Sequence, residues 1–222
     1  MTAEGCAILI PVLARPHRIA PLLADISAAT PEPHRVLFIA DADDRDELRA
    51  LRYAGAEYIT VNQPRNYAAK INAGYRATTE PLLFSGADDL HFHPGWLAIA
   101  LTYLTDQIHV VGTNDMGNEI VMRGEHSTHT LFTRHYIETD SGVIDTPNQV
   151  LCEAYPHDYC DNEFIETAKS RSRFTMAADS RVEHMHWVWN KGEIDPVYQK
   201  AMRVAWKGRA IFTRRQALWT KR

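Results

Sequence analysis

Residues 82–90 read LLFSGADDL, an apolar run that ends in two adjacent carboxylates, Asp88 and Asp89. The apolar run is typical of a buried strand. Residues that follow the carboxyl end of a strand lie where open α/β sheets bind ligands. A hard divalent cation held there by one or two carboxylates keeps other positions for water and phosphate. The alternative is that both carboxylates only cap a helix beginning near Gly95, because Asp is a common cap and turn residue.

Strands and helices alternate around this stretch, which predicts parallel β-α-β units with right-handed crossovers. Apolar runs predict strands at residues 7–12, 36–40, 57–61, within 82–90 and at 109–112. Helices are predicted at residues 16–28, 47–54 and 67–77.

The second half of the chain has a different pattern. Alternating segments at 119–123 and 128–133 predict antiparallel strands. Helices are predicted at 159–169 and 196–219, with short strands near Phe174 and Val182. We therefore predict one α/β domain over residues 1–222, with a mostly parallel, Rossmann-like sheet flanked by helices and a small antiparallel portion. Its predicted parts are a nucleotide-binding half at 1–112, an acceptor and catalytic half at 113–190, and a helical tail at 191–222.

Composition restricts the class of protein. A formal net charge of −4 over 222 residues gives no general field for a polyanion, although residues 200–222 are locally basic. Three cysteines are too few for a disulfide framework and indicate free thiols in a reducing compartment. We find no signal-peptide pattern and no apolar run of membrane-spanning length, so we expect a cytoplasmic protein. The sequence also lacks a Walker loop and a dinucleotide-binding glycine pattern, which argues against an ATPase and a nicotinamide-dependent dehydrogenase.

Charged side chains follow three of the predicted strands: Arg15 and Arg18 the first, Asp41 the second, and Asp88 with Asp89 the fourth. In a doubly wound sheet such strand ends converge on one crevice. Arginine can bind phosphate through two parallel N–H groups, and a carboxylate can accept a hydrogen bond from a base or ribose. Together these residues favour a nucleoside diphosphate as the ligand. Alone, Arg15 and Arg18 are better explained as a solvated first helical turn, and Asp43 and Asp44 as residues that favour the N-terminus of the next helix.

Four motifs occur in an order that resembles the GT-A glycosyltransferases. They are Pro11-Val12, Asp41, Asn66-Tyr67-Ala68-Ala69-Lys70-Ile71-Asn72-Ala73-Gly74 and Phe84-Ser85-Gly86-Ala87-Asp88-Asp89. The similarity is greatest to family 2, in particular to the compact enzymes common in bacteriophage genomes, and extends over residues 7–190. It implies a GT-A-like fold, a UDP- or GDP-type sugar donor, a divalent cation (Mn²⁺ or Mg²⁺) and a hydroxyl acceptor. A phage context would suggest a modified DNA base or a virion protein as acceptor, in the host cytoplasm.

The acidic metal motif of the family is Asp-x-Asp, often followed by a further Asp. Its first Asp falls on Gly86, its second on Asp88 and the follower on Asp89. The resemblance therefore makes Asp88 the metal ligand. His184 and His186 are two residues apart on a predicted strand and share a face, so either can add an imidazole ligand. The alternative is a half-buried strand that happens to carry polar histidines.

The segment Tyr159-Cys160-Asp161-Asn162-Glu163-Phe164 resembles the Glu-Asp-x-x-Leu region that carries the catalytic base of inverting members. This similarity places the base on Asp161, with Cys160 where Glu is usual. A carboxylate in that position can take the proton of the acceptor hydroxyl. Asp161 could instead be a plain helix cap.

The remaining site predictions also follow from the resemblance. The predicted nucleotide-sugar site comprises Pro11, Arg15, Asp41, Lys70, Gly86, Ala87, Asp88, Asn114 and Asp115. The predicted acceptor side comprises His129, within the segment 126–129, and Asp89. Lys70 could neutralise a phosphate, or it could equally be an ordinary exposed helix lysine.

Two other functions stay open. One is a nucleotidyltransferase, although the segment after the first strand has no glycine for a phosphate loop. The other is a non-catalytic nucleotide-sugar or carbohydrate-binding protein, which Gly86 and Cys160 favour.

Overall fold

The computed structural model describes residues 5–62 and 66–220. Its strands are β1 Cys6–Pro11, β2 His34–Asp41, β3 Tyr58–Val61, β4 Leu82–Ser85, β5 Leu90–Phe92, β6 Val110–Asn114, β7 Thr130–Thr133 and β8 Phe174–His184. Its helices are α1 Ile19–Ala29, α2 Arg45–Tyr53, α3 Tyr67–Ala77, α4 Trp96–Leu101, α5 Glu119–Met122, α6 Arg134–Thr139, α7 Cys160–Ser170, α8 Pro196–Arg215 and α9 Ala217–Thr220. Short 3₁₀ turns lie at Pro16–Arg18 and Trp187–Trp189. The predicted domain limits, residues 1 and 222, fall outside the described residues.

Within the described residues the strands form a sheet in the order β3-β2-β1-β4-β7-β6-β8-β5. β1 runs parallel to β2 and β4, and β2 runs parallel to β3. β7 runs antiparallel to both β4 and β6, and β5 runs antiparallel to β8. The predicted α/β sheet with an antiparallel portion is confirmed.

The first half forms parallel strands because its apolar runs are covered on both faces of the sheet. Ile8 and Phe84 pack into the core on one face, and Leu9 and Leu83 pack into the core on the other. Gly86 donates its N–H to the Leu9 carbonyl at 2.9 Å, which ties the turn after β4 to β1. The carboxyl ends of β1 and β4 are therefore held side by side.

Two predictions about the second half are wrong. Residues 119–123 are not a strand. Glu119–Met122 form α5 and Arg123 caps its end, because the Asn118 side chain accepts from the Ile120 N–H and starts a helix. The two short strands near Phe174 and Val182 are one strand, β8, which pairs with β6 and β5. Ser180 is buried inside it and donates to the Trp96 carbonyl at 2.7 Å, so this polar residue does not interrupt the strand.

The segment predicted as one C-terminal helix forms two helices, α8 and α9. α8 packs on the body of the protein. A Cβ atom on Gly208 would lie 2.7 Å from the Asp158 carbonyl oxygen, so only glycine permits this close crossing of α8. At its far end Arg215 forms ion pairs with Glu163 of α7 and with Asp145. These contacts hold the C-terminal end of α8 on the body of the protein. Among the helices of the described residues, none is long and apolar enough to cross a membrane.

Candidate active site

A cavity of about 510 Å³ opens beside the carboxyl ends of β1 and β4. The loop after β1, α3, the turn after β4, the start of α7, the end of β8 and the first half of α8 all contribute to its wall. Most of the predicted site residues line it: Pro11, Arg15, Lys70, Ala87, Asp88, Asp89, His129, Asp161, His184 and His186. The other predicted residues, Asp41, Gly86, Asn114 and Asp115, are not among its lining residues.

Asp88 is bound to the arginines that follow β1. Its Oδ1 accepts from Arg15 Nη1 at 2.7 Å and lies 3.4 Å from Arg18 Nη1. Burial, with the neighbouring carboxylate of Asp89 adding to it, raises the pKa of Asp88 to about 6. The two arginines oppose this rise, since they favour the charged form.

Asp89, rather than Asp88, contacts the late histidine. Its Oδ2 lies 3.3 Å from His184 Nε2 and accepts a short hydrogen bond from the Tyr198 hydroxyl. Burial would raise the pKa of Asp89, but His184 and Tyr198 outweigh burial and hold that pKa well below its usual range. Burial would lower the pKa of His184, but the neighbouring Asp89 carboxylate outweighs burial and raises that pKa. The ring of His186 lies 4.9 Å from the ring of His184 and 4.5 Å from the ring of Tyr198.

The loop that carries Arg15 is held by acidic residues at the start of α2. Ala14, in a left-handed conformation with φ of 51°, donates its N–H to Asp44, and Arg15 donates its N–H to Glu47 at 2.8 Å. Glu47 is fully buried, and burial raises its pKa to about 7. Sequence reasoning missed Glu47, because an acidic residue in a first helical turn is ordinarily exposed.

The first turn of α8 also reaches this cluster, which the sequence did not indicate. Asp195 Oδ2 accepts from Arg15 Nε at 2.7 Å, and the Arg15 guanidinium carbon lies 4.1 Å from the centre of the Tyr198 ring. Asp195 followed by Pro196 is a recognisable helix start. That local signal does not reveal a partner 180 residues earlier in the chain.

Lys70 and Asp41 form a buried ion pair at the edge of the cavity. Lys70 Nζ lies 2.7 Å from Asp41 Oδ1 and donates to the Val12 carbonyl at 2.6 Å. Both side chains are almost completely inaccessible, at 3% and 7% exposed. The two residues join α3 to the ends of β1 and β2, so they are placed to support the strand ends.

Asp161 lies in the first turn of α7, next to His126. The carboxylate Oδ2 is 3.2 Å from His126 Nε2. Burial would raise the pKa of Asp161, but the hydrogen bond and charge of His126 outweigh it and lower the pKa. The carboxylate is therefore kept in its charged form, which is the form that accepts a proton.

His129 is almost completely buried in the cavity wall, with its ring 5.0 Å from that of His184. Its Nδ1 is 3.2 Å from the Ser85 carbonyl oxygen, and its Nε2 is buried without a hydrogen-bond partner. Burial, followed by the proximity of His184, lowers the pKa of His129 to about 4. The ring is therefore neutral at physiological pH.

The predicted residues outside the cavity wall have structural contacts. Asn114 donates to the Ala178 carbonyl at 2.9 Å, and Asp115 accepts from the N–H groups of Gly117 and Asn118. At Gly86 a Cβ atom would lie 2.6 Å from Ile10 Cδ1. The space that a side chain at this position would need is therefore filled by the core.

Comparisons with known proteins identify the family and the fold. A family model described as glycosyl transferase family 2 matches residues 7–156. No curated protein sequence matches the chain. A mannosyltransferase from Pyrobaculum calidifontis, in complex with GDP-Man and Mn²⁺, is a structural neighbour with a TM-score of 0.61 and 16% identity. The match covers 81% of this chain and only 56% of the mannosyltransferase.

A second group of neighbours comes from Mycobacterium tuberculosis. Glucosyl-3-phosphoglycerate synthase in complex with phosphoglyceric acid matches with a TM-score of 0.61 and 12% identity, over 89% of this chain and 75% of the synthase. The same enzyme with Mn²⁺, UDP-glucose and phosphoglyceric acid matches with a TM-score of 0.60 and 12% identity, over 89% of this chain and 75% of that one.

These likenesses define the architecture as a GT-A fold. Because the family model covers residues 7–156 of the 222-residue chain, the protein belongs to glycosyl transferase family 2. The resemblance predicted from the order of the motifs is confirmed. Asp161, His184, Asp195 and Tyr198 lie beyond the matched residues, so their roles depend on the geometry of this chain alone.

Proposed function

We propose that the chain transfers a sugar from a nucleoside diphosphate donor to a hydroxyl acceptor, with inversion at the anomeric carbon. The observation that carries this proposal is the shared cavity: Asp161 lines it together with Arg15 and Asp88. Family 2 membership supports the reaction class. The solved neighbours hold GDP-Man or UDP-glucose, which supports a GDP- or UDP-type donor.

The donor diphosphate would lie against Arg15 and Arg18. Arg15 lines the cavity, and its Nη2 is buried without a hydrogen-bond partner. A buried unpaired donor is costly, and a phosphate oxygen would satisfy it. Arg18 lies beside it, with its side chain 20% exposed. In this proposal Pro11 and Ala87 form neighbouring wall, while Asp41 and Lys70 hold the strand ends in place.

The chemical step in this proposal is a single displacement. The acceptor oxygen attacks the anomeric carbon as its proton passes to the Asp161 carboxylate, and the bond from that carbon to the diphosphate breaks. The negative charge that develops on the diphosphate is stabilised by the two guanidinium groups. His126 holds Asp161 ionised, and His129 lies on the acceptor side of the cavity.

The divalent cation predicted from the sequence would need donor atoms in this cavity that are free to bind it. Asp88, Asp89 and His184 offer oxygen and nitrogen donors of the type that Mn²⁺ accepts. However, Asp88 is bonded to Arg15, and Asp89 is bonded to His184 and Tyr198. Over residues 5–62 and 66–220, no group of three or more His, Cys, Asp or Glu side chains is placed to hold an ion. As arranged, the residues do not fit a resident cation, and Mn²⁺ or Mg²⁺ dependence stays a prediction.

The test of the proposed function is release of nucleoside diphosphate by the purified chain from UDP- and GDP-sugars, with and without Mn²⁺. Asp161→Asn should reduce turnover by about 10²–10⁴-fold, since it removes the general base. Its affinity for the nucleoside diphosphate should stay near that of the wild type. The exposed Asp179→Asn variant serves as the matched control. Unchanged turnover in Asp161→Asn would remove the base assignment.

A non-catalytic nucleotide-sugar-binding protein is the second candidate. The packed position of Gly86 favours it, because no carboxylate fits at the place of the family's first Asp without a shift of Ile10. A protein that only binds would raise its melting temperature with the donor but would release no nucleoside diphosphate. The acceptor, whether a modified DNA base or a virion protein, and the cytoplasmic location remain predictions.

A further inference from the structure

The first turn of α8 places a third carboxylate on the two arginines of the donor site. Asp195 Oδ2 lies 2.7 Å from Arg15 Nε and 3.8 Å from Arg18 Nη2. The same helix supplies Val197, Tyr198, Ala201 and Val204 to the cavity wall. Asp195 therefore occupies part of the guanidinium surface that would face an anionic ligand.

The carboxylates in this cluster oppose the binding of a further anion on the two arginines. Arg15 and Arg18 already face the carboxylates of Asp88, Asp89 and Asp195 at distances of 2.7–4.0 Å. A diphosphate that approached these arginines would add at least two negative charges at similar distances. Like charges a few ångströms apart repel strongly where water is partly excluded. Release of one carboxylate would remove part of this repulsion and would free guanidinium N–H groups for the diphosphate, in addition to the unpaired Arg15 Nη2.

Asp195 is the carboxylate that can leave most easily. The side chains of Asp88 and Asp89 are 7% and 5% exposed and lie on the turn between β4 and β5, which is fixed by strand pairing. The side chain of Asp195 is 25% exposed and lies at a helix terminus. Moving it requires a shift of the first turn of α8, including the Tyr198 hydroxyl that donates to Asp89, whereas moving Asp88 or Asp89 would disrupt the sheet.

We propose that Asp195 occupies the position of the donor diphosphate on Arg15 and Arg18, and that donor binding displaces it together with the first turn of α8. This inference rests on the proposed function, because it takes the ligand to be a nucleoside diphosphate. Asp195 is a positioning residue: in the free protein it keeps the two arginines aligned, and the diphosphate replaces its carboxylate. Donor affinity is consequently reduced by the free energy needed to release Asp195.

The variant Asp195→Asn separates the two roles of Asp195, because its two carboxylate oxygens have different partners. Oδ1 accepts from the Tyr198 N–H at 2.9 Å and caps α8, whereas Oδ2 binds Arg15. Asparagine caps a helix as well as aspartate does, so the variant removes the charge and keeps the cap. Asp145→Asn is the matched control, because Asp145 pairs with Arg215 at the other end of α8.

The measurement is isothermal titration calorimetry with UDP and with GDP. We expect Asp195→Asn to bind one of them about fivefold or more tightly than the wild type, a change of about 1 kcal/mol. Asp145→Asn should bind as the wild type does. Hydrogen exchange of the wild type supplies a second readout: adding the nucleotide should increase exchange at residues 195–200.

Equal or weaker binding by Asp195→Asn, or slower exchange at 195–200 on adding nucleotide, would overturn the inference. In that case Asp195 would be a permanent part of the donor site. If the wild type binds UDP or GDP, the proposed function survives that result. Absence of nucleotide binding by both proteins would overturn the inference and the proposed donor together.

Discussion

Replacing Lys70 with methionine separates a structural role of the Lys70–Asp41 pair from a role in binding. Methionine keeps most of the side-chain length but removes the ammonium group. Asp41 Oδ1, now 2.7 Å from that group, would stay buried without its counter-ion, and the Val12 carbonyl would lose its 2.6 Å hydrogen bond. Both groups would then be desolvated and unpaired.

The expected cost follows from that environment. Removing one partner of a buried ion pair destabilises a protein by about 3–5 kcal/mol, because an uncompensated charge stays behind. For a domain of this size about 1 kcal/mol corresponds to a change of about 2–4 °C in melting temperature. Lys70→Met should therefore lower the melting temperature by roughly 6–20 °C.

The assay is urea unfolding followed by circular dichroism, with thermal melting as a check. Exposed Lys207→Met is the control and should change stability by less than about 0.5 kcal/mol. Adding Asp41→Asn to Lys70→Met should recover part of the loss, because it removes the orphaned charge. A Lys70→Met variant within about 1 kcal/mol of the wild type would refute the structural role of the pair. If that variant also failed to bind nucleotide, Lys70 would be a direct ligand group.

Three further predictions concern the same region. Burial raises the pKa of Glu47 from 4.5 to about 7, so the folded chain keeps a proton that the unfolded chain loses. The contribution of Glu47 to stability is present below pH 4.5 and is lost as the pH rises to about 7. Thermal melts of the wild type and of Glu47→Gln should therefore show the wild type losing stability relative to the variant between about pH 5 and pH 8. A difference in melting temperature that stays constant over this range would contradict the prediction. Gly86→Ala should cost about 1–3 kcal/mol in urea unfolding, since its Cβ would lie 2.6 Å from Ile10 Cδ1. Adding Ile10→Val should reduce the loss of stability, because it removes the Cδ1 atom. If Gly86→Ala left the free energy of unfolding unchanged, the core would have space for the added Cβ. Mn²⁺ without nucleotide should leave the melting temperature unchanged, because the candidate carboxylates already have partners; a clear rise would show that the arginines release them to an ion alone.

The parallel half of the fold could be predicted because its signals are local. The buried run of β1 and the helix α3 are each specified by neighbouring residues, through apolar runs and the Asn66 cap. The prediction failed at 119–123, where the alternation extends over only five residues and the Asn118 cap starts a helix instead. It also split β8, because a polar pair at 179–180 resembles a turn until Trp96 supplies a partner for Ser180.

The amino-acid sequence alone determined which residues end the strands, and therefore that Arg15 and Asp88 lie at one edge of the sheet. Asp161, in the first turn of α7, was predicted from the family resemblance. Strand ends are set by short-range patterns of burial, and parallel topology brings them to one edge of a sheet. Only the tertiary structure decided the pairing: His184 contacts Asp89, and Asp195 contacts Arg15 from 180 residues away. An ion pair depends on separations of a few ångströms between side chains, and residues distant in the chain acquire those separations only when the helices and strands pack.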